Sequence, residues 1–247
     1  MTAKKLTIWL LDDSGLSRES WWIQLGIPST LNFPDYFALT RKNRTEREEE
    51  QRKIMLNEMV KTIHSYREHK FLSPKILPDA MYVDLKEIYA GIPQEVFSTM
   101  PPVFAISDQF IMITEPLLHI FRHFYLGSTQ NSPVRLCERT TNELLSEQTY
   151  YLLNVCETHS YLSPEKNPDL RLISRGSYSV YHHPDDEAEL NRFHFHPKAL
   201  ECPADIWHDP LINHSIFFSQ SLKEAIDKAG LYKDFSLFPC NFILDRA

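Results

Sequence analysis

Apolar and polar positions along this chain fall into a few regular patterns, and the clearest lies near the carboxyl end. Ile216-Phe217-Phe218 is aromatic and β-branched, the composition of a buried strand. After Ser219-Gln220-Ser221, residues Leu222, Ala225, Ile226 and Ala229 recur at helical spacing, so a helix presents one apolar stripe to a sheet. Ser221 and Glu224 read as an S-x-x-E capping box at its start. Gly230 stands just past the last periodic residue, where a positive φ ends a helix. Phe235 to Pro239 then returns to a strand.

Similar signals occur upstream. Phe104-Ala105-Ile106 runs as a strand into Ser107-Asp108, and a helix follows with Thr114 as its cap and Pro116 in the first turn, where a missing N–H costs nothing. Leu117, Ile120, Phe121 and Phe124 form its expected buried face, Gly127 its stop, and Pro133 to Leu136 the next strand. Two strand–Ser–helix–Gly–strand units suggest a duplicated supersecondary motif. With two copies and helices of different length, coincidence explains the likeness equally well. Tyr150 to Val155 is a largely apolar run that reads as a central strand.

The pattern changes in the first hundred residues. Thr45-Glu46-Arg47-Glu48 is a second capping box, and Met55, Met59, Ile63 and Tyr66 form a helical stripe. Glu48 with Arg52 and Glu49 with Lys53 are i,i+4 pairs, so the first turns of a long charged helix over residues 45–69 are expected to be solvated. That face is more simply the wet side of a core helix than a docking surface. The elements together predict an α+β fold: a mixed, largely antiparallel sheet packed against helices. A boundary at Pro101-Pro102 divides residues 1–100, an amino-terminal region packed on the rest, from an α+β domain over 101–247.

Composition narrows the function classes. The chain has 247 residues and only six glycines, with no G-x-G-x-x-G and no G-x-x-x-x-G-K-[ST]. A phosphate cradle needs glycines for close backbone approach, which argues against a Rossmann or P-loop nucleotide site. Net charge is −7, which disfavours nucleic acid and suits a basic protein partner. The apolar run Leu6 to Leu11 is too short for a signal-peptide core, and no stretch reaches membrane-spanning length. Cys137, Cys156, Cys202 and Cys240 are scattered, so they are expected as reduced, mostly buried thiols of a cytoplasmic protein.

Chemistry concentrates, if anywhere, between His182 and His214, where six of the eleven histidines fall. His194-Phe195-His196 puts two imidazoles on one face of a strand, and His208 lies nearby in sequence, so a metal-dependent hydrolase is the alternative reading. The pattern lacks C-x-x-C and H-E-x-x-H, and alternation with Phe193 and Phe195 fits a half-buried strand with a polar outer face. Asp185-Asp186-Glu187 with Glu189 form an acidic patch, with no D-x-[DN]-x-[DN]-G calcium loop. A loop or helix start explains it, and a contact for a basic partner is its functional reading. No G-x-S-x-G elbow and no tight Cys–His pairing appears, so no catalytic residue is assigned.

The carboxyl-terminal unit carries a resemblance. Ile106-Ser107-Asp108, Leu152-Leu153-Asn154 and above all Ile216 to Pro239 resemble an immunity-protein family of bacterial polymorphic toxin systems. In that pattern an apolar strand leads through Ser and a polar residue to a helix ending in Ala-Gly-Leu, then to a strand with Phe and Pro. Phe218, Ser219, Gln220, Ala229, Gly230, Leu231, Phe238 and Pro239 occupy those positions. The likeness spans residues 100–242. It departs at His208, where Arg is expected after Ile206-Trp207, and at Lys233-Asp234, where a Gly often stands. The resemblance implies a cytoplasmic, non-enzymatic protein without cofactor that binds and neutralises a cognate toxin domain, a basic nuclease being one such target.

Overall fold

The computed structural model describes residues 7–11, 45–51, 53, 54, 57, 61, 80–83, 100–105, 111–138, 141–167, 171–175, 178–182, 194–213, 215–231, 235 and 237–242. The fold is α+β, with mostly antiparallel sheets. Backbone proximity divides the chain into two compact units. One comprises residues 1–19, 116–129 and 155–247, and the other residues 20–115 and 130–154.

The first unit is organised by β1 (Ile8–Leu11), whose partners come from the far end of the chain. β10 (Ile206–Trp207), β12 (Ile216–Ser219) and β13 (Leu237–Pro239) join it in the order β10-β12-β1-β13, with every neighbouring pair antiparallel. Pro239, which cannot donate to a ladder, sits in the edge strand β13. Alternate side chains of β12 leave on opposite faces, as the two-residue strand period requires. Phe217 packs on Phe195 and Trp207, at centroid distances of 5.1 and 5.7 Å. Phe218 instead meets Phe121 and Phe235. Both phenylalanines are buried, so β12 is covered on its two faces.

Over one face of this sheet lies α2 (Gln220–Lys228), which follows α1 (Glu115–Phe121) along the chain. Leu222 and Ile226 are its buried residues, both within the predicted stripe, whereas Ala225 is half-buried and Ala229 exposed. The helix is pinned to β1 at its first turns. Trp9 donates its indole N–H to Gln220 Oε1 at 2.8 Å, and the Lys223 ammonium stands 4.4 Å from the Trp9 ring centroid. In α1 the buried positions are Leu117, Leu118 and Phe121, with Pro116 second in the helix. Ile120 and Phe124 are half-buried, so Leu118 takes the place expected for them. Two further sheets complete the described part of this unit. β7 (Arg171–Arg175), β8 (Tyr178–His182) and β11 (Ile212–Asn213) form one, and β9 (His194–Phe195) with β14 (Asn241–Phe242) forms the other.

In the second unit, β2 (Ala80–Val83), β3 (Val103–Ala105), β4 (Ile111–Thr114), β5 (Thr129–Glu138) and β6 (Tyr150–Val155) are ordered β2-β5-β6-β4-β3. β6 is central, as its apolar run predicts, and Tyr150, Leu152 and Leu153 are buried. Ser107 does not lead directly into a helix, because the strand β4 intervenes. The two strand–helix–strand connections nevertheless share an ordering. β12 and β13 flank β1, and β4 and β5 flank β6. The predicted amino-terminal cap is present: Thr45 Oγ1 accepts from the Glu48 backbone N–H, and Glu48 Oε2 accepts from the Thr45 N–H at 2.7 Å. The helical residues after it that are described, from Glu46 to Lys61, are largely exposed, the expected solvated face. Met55, Met59, Ile63 and Tyr66 lie outside the described residues.

Candidate functional site

The carboxyl-terminal helix is capped differently from the sequence expectation. Ser219, the last residue of β12, is the cap: its backbone is extended and its Oγ accepts from the Leu222 N–H at 3.1 Å. Ser221 already lies inside the helix, because the strand ends two residues earlier than the S-x-x-E box requires. Glu224 accepts instead from the Gln220 amide at 2.6 Å. At the other end Gly230 has φ +75°, its N–H meets Asp227 O, and the Leu231 N–H meets Ile226 O, the paired bonds of a Schellman ending. The motif residues of this unit are therefore fold determinants.

The Ser219 hydroxyl has a second role that leads to a polar cluster joining three segments of the chain. It donates to Asp205 Oδ1, and the other carboxylate oxygen accepts from the Tyr125 backbone N–H at 2.9 Å. The Asp205 N–H in turn donates to Tyr125 O at 2.7 Å. Both main-chain groups of Tyr125 are thus held by one residue, while its side chain is 61% exposed. Three residues on, the Ser128 N–H donates to Glu157 Oε2 at 2.8 Å. Gly127 between them has φ +54°, and a Cβ there would collide with the Glu157 carboxylate. Gly127 thus serves this close approach six residues after α1 ends, not the helix stop expected for it. The segment Tyr125-Leu126-Gly127-Ser128 is consequently clamped at both ends by carboxylates.

Glu157 also accepts from His159 Nε2 at 2.8 Å, and the His159 ring stacks on Tyr161 with 12° between planes. Burial pushes the Glu157 carboxyl up, but the Ser128 hydrogen bonds and His159 outweigh it and hold the pKa below the ordinary carboxylate value. Tyr161 is pushed up to about 12, by burial first and then by its hydrogen bond to Cys202. The Cys202 thiol is raised by burial and by the Glu157 and Asp205 carboxylates, against the Ala204 and Tyr161 hydrogen bonds. A thiol in such negative surroundings stays protonated and is a poor nucleophile. Below the cluster, Asp209 is almost fully buried and accepts from the N–H groups of Tyr161, Leu162 and Leu211. It holds the turn that carries Tyr161.

The histidines of the hydrolase reading occupy three different settings. His194 is half-buried on β9, its main chain bonded to Asn167 through both N–H and C=O. His196 is exposed, and its Nδ1 accepts from the Lys198 N–H at the start of a 3-10 turn. His208 is buried beyond β10, with its backbone N–H on Glu157 O. Among the described residues no three His, Cys, Asp or Glu side chains converge in a metal-holding group. Asp185, Asp186, Glu187 and Glu189 lie outside the described residues. All four cysteines are free thiols, with Cys137, Cys156 and Cys240 buried and Cys202 half-buried. Among the described residues no helix is long and apolar enough to cross a membrane.

Sequence reasoning missed Tyr125, Glu157 and Asp205. Their partnerships bridge 80 residues in one case and 29 in the other, with no local spacing to announce them. No family model matches the chain, and no characterised protein sequence matches it.

Proposed function

We propose that this chain is a toxin-neutralising immunity protein, which binds a cognate bacterial toxin domain and blocks its activity by occupying its surface. The observation that carries the reading is the unit from Ile216 to Pro239, whose residues are those of the family resemblance. Their roles in this chain, a capped helix between two strands around β1, are structural. In such a protein the shared motif preserves a scaffold, and the working surface lies on other residues. A net charge of −7 supports a basic target, because complementary charge steers association. The cluster around Tyr125, Glu157 and Asp205 supports binding over nucleophilic chemistry, since its carboxylates brace backbone and keep its thiol protonated.

Co-expression with the protein encoded by the adjacent gene tests the reading. The expected result is rescue of growth and a co-purifying stoichiometric complex; neither rescue nor complex would contradict it. The patch Asp185, Asp186, Glu187 and Glu189 belongs to the same proposal. Reversing its charge should slow association more than it speeds dissociation, and an unchanged association rate would remove the patch from the interface.

A further inference from the structure

We infer that the braced segment Tyr125–Ser128 is an anchor of the partner interface, with Tyr125 inserting into a basic face of the bound protein. The inference rests on the proposed function and names the surface that performs it. Large aromatic side chains dominate binding energy where they enter a partner already held in place. A loop that must be ordered on binding loses much of that gain. Tyr125 avoids this cost, because Asp205 accepts from its N–H and donates to its carbonyl, and Glu157 accepts from the N–H of Ser128, the residue after Gly127. Its ring, in contrast, is 61% exposed, the most exposed large apolar or aromatic side chain among the described residues. Gly127 holds the positive φ that lets Glu157 approach, so the main chain beneath the outward ring is already braced before a partner arrives.

Charge selects the occupant. The clamps at the two ends of the segment are carboxylates, and both act electrostatically on the neighbouring Cys202. Glu201, exposed on the turn before Cys202, adds a third acid and acts on Tyr161. A partner presenting Arg or Lys around an aromatic-accepting pocket fits this arrangement, the guanidinium also being the cation that stacks best on a tyrosine ring.

The test measures binding kinetics of the full chain against the catalytically inactivated product of the adjacent gene. Tyr125→Ala should weaken the complex roughly thirtyfold or more, through faster dissociation, while Tyr125→Phe stays within a few-fold of the parent. Glu201→Lys should slow association several-fold at low salt, by roughly the margin expected of a rim charge. Both side chains are exposed, and thermal unfolding at the parent temperature verifies that the variants are folded. A complex that forms normally with Tyr125→Ala overturns the anchor and leaves the proposed function standing. An association rate indifferent to Glu201→Lys overturns the basic character of the occupant at this surface. No complex with the parent chain overturns the proposed function, and the anchor with it.

Discussion

Asp209 shows how much of this structure rests on single polar residues. One nearly fully buried carboxylate accepts from three backbone N–H groups, at Tyr161, Leu162 and Leu211. Asp209→Ala leaves one buried and two part-buried N–H groups without that acceptor, at about 1–3 kcal/mol for the buried one and less for the others. A loss of about 2 kcal/mol or more is expected in urea unfolding, and a loss below about 1 kcal/mol would contradict this role. The pH response has a definite sign. Burial lifts the Asp209 carboxyl above its ordinary value, against the pull of its hydrogen bonds. The folded state therefore binds this proton more tightly than the unfolded chain. The contribution to stability is greatest below the ordinary carboxylate value and falls as pH rises through the raised pKa. Asp209→Asn, which cannot titrate, should lose that slope, so the advantage of the parent over the variant narrows with rising pH. Glu157 works in the opposite sense: its lowered pKa adds stability above the ordinary carboxylate value that is lost as pH falls through the folded pKa.

At the scale of elements, the two described positive-φ glycines separate two uses of the same conformational freedom. Gly230 ends α2 with open space where a Cβ would stand, so Gly230→Ala should cost only the left-handed conformation, about 1 kcal/mol. Gly127→Ala adds a collision with the Glu157 carboxylate and so breaks the clamp on Ser128. The larger loss of melting temperature should come from Gly127, and equal losses would show that the clamp contributes little. Capping gives a matching test. Ser219→Ala should destabilise by about 1 kcal/mol or more and Ser221→Ala by much less, because only Ser219 meets the Leu222 N–H. The helix itself, its apolar stripe, its Gly stop and the central strand β6 were all legible in the sequence, since periodicity and glycine placement are local. The cap was misplaced by two residues because two serines compete and the strand end decides between them. β4 was missed for a similar reason, its three apolar residues running straight into Thr114, the expected helix cap. The pairing of β1 with β12 and β13, more than two hundred residues away, has no local signature at all.

For the whole molecule the cysteines bear on chemistry. Burial raises the Cys156 thiol to about 11 and pushes Cys240 up further, while Cys202 is held protonated by burial and its acidic neighbours. A thiol reagent at neutral pH should reach half-buried Cys202 first and slowly, and the other three only on unfolding. Rapid labelling of any of them in the folded protein would reopen thiol chemistry. The candidate surface was illegible in the sequence because it is assembled from three distant segments: the turn after α1, the chain following β6 and the stretch before β10. What the sequence did carry was the acidic balance, and charge acts on the molecule as a whole. The central claim is that this chain binds a cognate toxin. Calorimetric titration of the purified chain with the inactivated product of the adjacent gene tests it most directly. A one-to-one complex with a Kd of about 10 nM or tighter is the predicted result, and the absence of binding at micromolar concentrations would contradict it.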